Sequence, residues 1–250
     1  MFSGHRNGHG IHSPFVFDVV SGFFRNKIDV EVVKCIKKLR REMKNDKRII
    51  NVNDLGAGSV KGKNGYLRKV SDIAHNSPIP DKYGFILAKM AADFGRPYAI
   101  ELGTSLGISA LYMALSSPDI EVHTIEGCPE IASVAQENFR TAGASNVKLH
   151  VGAFDDVLPD LMKEKHAPGI VFIDGNHRKE PLMRYFRFAA DNAKDDSVVV
   201  IDDIHLSREM SEAWEEIKKQ PEASVTIDLH RMGIVFFRKG INSNHFVVRY

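Results

Sequence analysis

The residues YAIELGTSLGIS, numbered 98–109, join a short apolar run to a glycine-containing turn and the start of an apolar helix. Tyr98–Leu102 is predicted to be a strand, and Ile108–Leu115 is predicted to be a helix. Gly103 and Gly107 lie between them, where glycine permits a tight turn and lets a ligand approach the backbone closely. The free N–H groups at the start of the helix suit a carboxylate or a phosphate. A plain strand-to-helix connection has the same glycines, so this turn alone leaves both interpretations open.

Four further apolar runs follow, and helical patterns separate them from one another. Five strands that alternate with helices indicate an α/β fold, a Rossmann-like doubly wound sheet that is mostly parallel. No helix separates the last two runs, near Ser224–Leu229 and Gly233–Arg238, so we expect a C-terminal hairpin that adds an antiparallel strand at one edge. The four further strands are predicted at Glu121–Ile125, Val147–Val151, Ile170–Ile173 and Val198–Ile201.

The N-terminal third of the chain differs from the remainder in charge. Residues 1–80 contain 15 Lys and Arg against 7 Asp and Glu, whereas residues 81–250 contain 19 against 25. We therefore expect an N-terminal helical and loop segment at 1–80 and a second domain at 81–250. An apolar stripe from Ile28 to Met43 predicts an amphipathic helix with a basic opposite face, interpreted as a solvated surface with nucleic-acid binding as the alternative.

The composition excludes several classes of protein. Of the 250 residues 43% are hydrophobic and 26% are charged, which is typical of globular proteins and not of disordered ones. No apolar run reaches the roughly 18 residues of a membrane span, and the N-terminus lacks the apolar stretch of a secretory signal. Two cysteines, Cys35 and Cys128, are too few for a disulfide framework, so a cytoplasmic location is expected.

The ends of the strands carry the candidate site, because ligands of such sheets bind outside the carboxyl ends of the strands. Glu126 follows the second strand about 20 residues after the glycine turn, where a carboxylate can accept hydrogen bonds from a ribose. This combination predicts a nucleotide-type cofactor. A second glycine-rich stretch, Asp54–Ser59, is disfavoured as the cofactor loop because the residues after it cannot start a regular helix.

The third strand leads into Gly152-Ala153-Phe154-Asp155. The ring of Phe154 is predicted to pack on a purine face, and the carboxylate of Asp155 to accept a hydrogen bond from an exocyclic amine. A helix N-cap formed by Asp155 or Asp156 is the alternative, and both roles are compatible.

Three aspartates follow the fourth and fifth strands: Asp174, Asp202 and Asp203. If these strands are neighbours, the three carboxylates converge, and their mutual repulsion favours a divalent cation such as Mg²⁺ among them. The alternative is that they cap helices or pair with Arg178, Arg184 or Lys179. His177 and His205 are expected on the same rim, and His177 is the candidate base.

Together these strand ends resemble those of the class I S-adenosylmethionine-dependent methyltransferases, and among them the catechol O-methyltransferase-like group. The resemblance covers roughly residues 80–240, and the H-G-I-H-S-P-F-V-F run near the N-terminus resembles uncharacterised bacterial methyltransferase-like proteins. The catalytic lysine of the catechol group is absent, because Gly175-Asn176-His177 stands there. The matching positions are Glu101, Leu102, Gly103, Gly107 and Ser109 in the first loop, then Glu126, then Val151, Gly152, Ala153, Asp156 and Pro159, then Asp174, Asp202 and Asp203.

The resemblance implies a small-molecule O-methyltransferase that uses S-adenosylmethionine and a divalent cation bound by the three aspartates. His177, which we take as the base where that lysine is missing, and Asp174 are the candidate catalytic residues. Metal-independent transfer to nitrogen or oxygen, a nucleic-acid modifying or binding protein and an NAD-dependent oxidoreductase remain alternatives. Related enzymes often pair through N-terminal helices, so a homodimer is also expected. The implied cofactor-binding residues are Glu101, Gly103, Thr104, Ser105, Gly107, Ser109, Glu126, Gly127, Gly152, Ala153, Phe154, Asp155 and Asp174.

Overall fold

A computed structural model describes residues 5–6, 13–25, 28–53, 66–164, 167–240 and 243–250. The second glycine-rich stretch, Asp54–Ser59, and the first four residues of the H-G-I-H-S-P-F-V-F run lie outside these residues. The N-terminal part contains β1 (His5–Arg6), α1 (Pro14–Arg25), α2 (Val30–Asn45), β2 (Ile49–Val52), β3 (Tyr66–Lys69) and α3 (Val70–Asn76).

The remainder of the chain alternates strands with helices, as the sequence predicted. Its elements are α4 (Asp81–Phe94), β4 (Tyr98–Leu102), α5 (Ile108–Ser116), β5 (Glu121–Glu126), α6 (Pro129–Ala142), β6 (Val147–Val151), α7 (Phe154–Glu164), β7 (Ile170–Ile173), α8 (Lys179–Asp191), β8 (Val198–Ile201), α9 (Arg208–Ile217), β9 (Val225–Asp228), β10 (Gly233–Phe236) and β11 (Asn244–Arg249).

The main sheet has the strand order β1-β11-β9-β10-β8-β7-β4-β5-β6. The five predicted strands, β4 to β8, pair in parallel, which confirms the Rossmann-like sheet. Leu102 pairs with Ile125 of β5 on one side and with Ile173 of β7 on the other. The carboxyl ends of these strands therefore meet at one edge of the sheet, with β4 at the centre.

The C-terminal hairpin is present, but it does not form the edge of the sheet. β10 is antiparallel to both neighbours and lies between β8 and β9, so β9 runs in the same direction as β8. β11 pairs with the outer side of β9, and β1 pairs with β11, both in parallel. β11 thus satisfies the backbone N–H and C=O groups that β9 would otherwise expose at an edge, and β1 covers part of the outer side of β11.

Trp214, the single tryptophan of the chain, packs against the start of β10. A Cβ atom at Gly233 would lie 2.7 Å from the indole ring, so a larger residue does not fit there. The indole Nε1 donates a hydrogen bond of 3.2 Å to Oδ2 of Asp228 at the end of β9. This contact holds α9 against the turn between β9 and β10.

The N-terminal helices pack into the same hydrophobic core as the strands. Val20 of α1 and Ile36 of α2 are fully buried and belong to one core cluster with Leu111 of α5 and Val225 of β9. The predicted helix near residues 28–43 is confirmed as α2, and Asp29 caps it by accepting a 2.8 Å hydrogen bond from the Glu31 N–H. The boundary at residue 80 stays a prediction.

The Gly-, Asn- and Lys-rich composition of residues 51–66 predicts a loop, and this prediction is only partly correct. β2 and β3 pair in an antiparallel two-stranded sheet, with Val52 opposite Tyr66, and residues 54–65 between them are outside the described part of the chain. α1, α3 and α4 were not predicted. In the described ranges, no helix has both the length and the apolar character needed to cross a membrane.

Two substitutions on α2 test whether the N-terminal part contributes to the common core. Ile36→Ala removes buried methyl groups and should lower the free energy of unfolding by about 2–5 kcal/mol. Val30→Ala, on the same helix but with a residue that is 63% exposed, should change it by less than about 0.5 kcal/mol. Urea unfolding followed by circular dichroism measures both, and a negligible effect of Ile36→Ala would show that α2 folds apart from the core.

Candidate functional site

A cavity of about 400 Å³ opens at the carboxyl ends of the central strands. A larger groove of about 710 Å³ lies between α8 and α9, away from these ends, and its lining is mostly of charged surface residues. Of these two spaces, only the cavity at the strand ends contains predicted site residues among the described part of the chain. These are Gly103, Ser105, Glu126, Gly127, Gly152, Ala153, Phe154, Asp155, Asp174, His177 and Asp203.

The turn after β4 depends on two glycines. Gly103 has a φ of 104°, and a Cβ atom there would lie 2.2 Å from the backbone oxygen of Asp174. Gly107 has a φ of 86° and begins α5, where a Cβ would lie 2.5 Å from the Phe139 ring. Thr104 and Ser109 border a small recess beside the cavity. The predicted loop is therefore present, but only Gly103 and Ser105 of it line the main cavity.

Glu101 lies beneath this loop and has no exposed surface. Its Oε2 accepts a 2.5 Å hydrogen bond from the Thr124 hydroxyl, while Oε1 has no hydrogen-bond partner among the described residues. Burial raises the pKa of Glu101 to about 7, with a further contribution from Glu126, and the hydroxyls of Ser109 and Thr124 oppose the shift. A buried acceptor without a donor is a place where a cationic group of a bound molecule would be stabilised.

Glu126 closes the loop from the other side, at the end of β5. Its Oε2 accepts a 2.9 Å hydrogen bond from the Ser105 N–H, and its Oε1 accepts one of 2.9 Å from the Cys128 N–H. The carboxylate borders the cavity and is fixed in orientation by these two bonds. This is the position that the sequence predicted for a ribose-binding acid.

Phe154 and Asp155 lie at the start of α7, on the wall of the cavity. The ring of Phe154 packs edge-on against Tyr185, with 5.7 Å between ring centroids. Both oxygens of Asp155 accept hydrogen bonds from Arg184, at 2.8 and 2.9 Å. Asp155 is thus engaged in a half-exposed ion pair, and any bound amine would share its oxygens with Arg184.

The three aspartates lie close together, as predicted, but their cationic partner is Arg231 and not one of the partners considered from the sequence. Asp202 is fully buried, and Arg231 donates to both of its oxygens: Nε to Oδ1 at 3.0 Å and Nη2 to Oδ2 at 2.7 Å. The same Nε lies 3.4 Å from Oδ1 of Asp203. The sequence analysis had considered Arg178, Arg184 and Lys179 as alternative partners for these aspartates, and Arg231 was missed.

The position of Arg231 follows from the sheet topology. Gly233 of β10 pairs with Ile201 of β8, so the turn before β10 lies beside the residues that follow β8. The backbone oxygen of Arg231 accepts a 3.0 Å hydrogen bond from the Ile204 N–H, which holds the two segments together. A hairpin placed at the sheet edge would have kept this arginine away from Asp202.

The aspartates do not form a ready site for a divalent cation. Both oxygens of Asp202 are taken by Arg231, and no group of three or more His, Cys, Asp or Glu residues in the described ranges is arranged to hold a metal ion. Burial, with the charges of Asp202, Glu101 and Asp203, raises the pKa of Asp174 well above its usual range. Burial and Asp202 also raise the pKa of Asp203.

His177 borders the cavity and His205 does not. The Nε2 of His177 lies 3.9 Å from Oδ1 of Asp174, and its side chain is 31% exposed. The two ring nitrogens of His205 instead bond to Oδ2 of Asp228 at 2.9 Å and to the Ser211 hydroxyl at 3.2 Å. Of the two histidines expected on one rim, only His177 is available to a bound molecule.

Residues 100–204 match a family model described as a methyltransferase domain. Solved structures with a similar fold include the O-methyltransferase TomG from Streptomyces achromogenes in complex with SAM, with a TM-score of 0.58 and 19% identity over 89% of this chain and 96% of that one. The SAH-bound methyltransferase PaMTH1 of Podospora anserina has a TM-score of 0.61 and 14% identity over 91% and 97% of the two chains. The chain therefore shares its fold with these methyltransferases.

A curated protein is also similar to this chain in sequence. The O-methyltransferase imqG of Aspergillus flavus is 34% identical over 116 residues, which cover 44% of this chain. The match spans less than half of the relative's own length, namely 46%.

The cavity at the strand ends also has walls that were not predicted from the sequence. Residues from the N-terminal part line it, and so do Cys128, Ile131, Gly175, Asn176, Tyr185 and Arg231. The sequence gives a signal for one of these residues, because Arg231 lies in the turn of the predicted hairpin. Its partner could not be identified without the strand order. The N-terminal residues are Val52, Asn53, Tyr66, Arg68, Ile73, Asn76 and Ser77.

A pair of glycine substitutions tests the close approach of the loop to Asp174. Gly103→Ala combines a positive φ with a clash against backbone, and should lower the free energy of unfolding by about 3 kcal/mol or more. Gly143→Ala has a similar backbone conformation, with a φ of 69° but nothing within 4 Å, and should cost about 1 kcal/mol. Equal losses in urea unfolding would mean that the contact with Asp174 is unimportant.

The raised pKa of Glu101 predicts a pH-dependent stability. Between pH 4.5 and about 7 the unfolded chain releases a proton that the folded protein retains, so the folded state loses stability as the pH rises. Glu101→Gln cannot ionise, so its stability relative to the wild type should increase by about 3 kcal/mol over this range. Urea unfolding at several pH values measures the difference; Glu212→Gln on the surface is the control, and parallel profiles of wild type and Glu101→Gln would contradict the assignment.

Proposed function

We propose that the protein is an S-adenosylmethionine-dependent methyltransferase that transfers a methyl group to a hydroxyl oxygen of a small molecule. The observation that carries the proposal is the pairing of the Gly103 loop with Glu126, above the buried carboxylate of Glu101, in a methyltransferase fold. The names of the relatives support the choice of oxygen as acceptor, and the bound SAM and SAH of the similar structures support the cofactor.

The residues of the cavity fit this cofactor. Glu126 would accept hydrogen bonds from the ribose hydroxyls, and Phe154 would pack on the adenine ring. Glu101 would stabilise the ammonium group through the loop, because its Oε1 lacks a donor. Asp155 would share its oxygens between Arg184 and the adenine amine. The further cofactor-binding residues that we propose are Gly103, Thr104, Ser105, Gly107, Ser109, Gly127, Gly152, Ala153 and Asp174.

A cofactor held by these residues would pass its methyl group from its sulfur to the acceptor oxygen, leaving a neutral thioether. The cofactor supplies a methyl group on a sulfonium, which is already a good leaving group. The protein then contributes alignment of the two reacting groups, which can supply several kcal/mol of the barrier. His177 would take the proton of the acceptor hydroxyl, and Asp174, 3.9 Å from its Nε2, would orient the imidazole.

The N-terminal part would form one wall of the acceptor site. Tyr66, Arg68 and Asn76 line the same cavity as His177 and Asp174, so a cap segment at residues 1–80 over a cofactor-binding domain at 81–250 is consistent with the lining. A small molecule fits a cavity of about 400 Å³ that is closed in this way. Transfer to nitrogen without a metal ion is the second candidate, because the site imposes no feature that requires oxygen.

The basic face of α2 gives little support to a nucleic-acid partner. Lys34 pairs with Glu31 at 2.8 Å, and Arg40 lies 3.1 Å from Asp81. These ion pairs reduce the positive charge that a phosphate backbone would meet. We also propose a cytoplasmic location, in keeping with the free cysteines Cys35 and Cys128, and pairing of two chains through the N-terminal helices stays a prediction.

Calorimetric titration with S-adenosylhomocysteine tests the proposed function. The wild type should bind one equivalent, and Glu126→Ala should bind at least tenfold more weakly, because the ribose contact and the fixed loop are both lost. Glu212→Ala, which changes an acid on α9 that pairs with Arg208, is the matched control and should bind as the wild type does.

Two results would overturn the function. One is the absence of any heat on titration with S-adenosylhomocysteine, and the other is binding of NAD instead. Once binding is established, transfer of a labelled methyl group to a set of hydroxylated or aminated small molecules distinguishes oxygen from nitrogen as the acceptor.

A further inference from the structure

We propose that Arg231 is the built-in cation of this site, so that the guanidinium takes the place of a divalent metal ion beside the acceptor. This inference rests on the proposed function in one respect, namely that an acceptor binds beside Arg231. The contacts of Arg231 with the aspartates do not depend on that function. The sequence predicted a metal ion because three carboxylates converge, and Arg231 supplies the opposite charge from within the chain.

The first support is the way in which Arg231 engages the carboxylates. Nε and Nη2 form a forked pair with Asp202, which has no exposed surface, and Nε also approaches Asp203. Such paired hydrogen bonds between a guanidinium and a carboxylate are short, directional and charge-assisted. A metal ion would need the same oxygens of Asp202, so it would have to displace Arg231 from a buried carboxylate.

The second support is that Arg231 is held in place on several sides. Its backbone oxygen accepts the hydrogen bond from Ile204, and its guanidinium carbon lies 5.9 Å from the centroid of the Tyr83 ring. The residue sits in the turn that Trp214 holds against α9 through Gly233. An arginine side chain keeps its charge at every pH at which proteins fold, so this cation is permanent.

The third support is that Arg231 also faces the cavity. Its side chain is 31% exposed and lines the cavity together with His177 and Asp174. Nη1 makes no hydrogen bond to any residue in the described ranges, so its N–H groups remain for a bound molecule. A hydroxyl or oxyanion of the acceptor would find there a donor with positive charge, beside the base that takes its proton.

Binding of Mn²⁺ alone, followed by electron paramagnetic resonance, tests the proposal. The wild type should bind Mn²⁺ no more tightly than Arg208→Ala, a control that removes an arginine that is 92% exposed. Arg231→Ala leaves Asp174, Asp202 and Asp203 without their cation and should bind Mn²⁺ at least tenfold more tightly than the wild type. Stoichiometric binding of Mn²⁺ to the chelator-treated wild type would overturn the proposal.

A second variant keeps the test decisive if Arg231→Ala does not fold. Arg231→Gln retains a donor toward Asp202 but removes the charge, and circular dichroism shows which variants fold. It should gain Mn²⁺ affinity in the same direction as Arg231→Ala. If the folded variants gain none, Arg231 is not what keeps the ion out, and the proposal is wrong.

Titration of the same samples with S-adenosylhomocysteine separates this inference from the proposed function. A wild type that binds neither Mn²⁺ nor S-adenosylhomocysteine, beside an arginine variant that binds Mn²⁺, supports the built-in cation while the methyltransferase function fails. A wild type that binds both ligands overturns the built-in cation and leaves the function standing.

Discussion

The site depends on the contact between Gly103 and the backbone of Asp174, where β4 and β7 end side by side. The Asp174 N–H donates a 2.9 Å hydrogen bond to the Leu102 oxygen, and no side chain fits between the two segments. Because the two strand ends approach so closely, the buried Glu101 of one strand faces the acidic residues that follow the others. The cavity exists where these two segments then diverge.

This approach places several carboxylates in one region of low solvent exposure, and such a cluster must be neutralised by protons or by cations. Glu101 and Asp174 have raised pKa values, which favours the protonated form. Asp202 instead has Arg231 as a counter-ion. The site thus meets the same repulsion in two ways, by the raised pKa values of Glu101 and Asp174 and by the ion pair of Asp202 with Arg231.

The sequence predicted the part of this arrangement that is local in the chain. Gly103, Glu126 and Asp174 follow apolar runs directly, so the sheet model alone brought them to one edge, as the structure confirms. Arg231 could not be placed because its position depends on β10 entering between β8 and β9. Residues such as Tyr66 and Arg68 reach the cavity only through the packing of α2 and α3, and no period in the sequence encodes that packing.

The position of Trp214 has an optical consequence. The chain has one tryptophan, so its tryptophan emission comes from one place, the contact of the indole with Gly233 and with the carboxylate of Asp228. This contact lies two residues along the chain from Arg231. A change in the turn between β9 and β10 would therefore alter the wavelength or intensity of that emission. Trp214 is thus an intrinsic fluorescent reporter for the turn that carries Arg231.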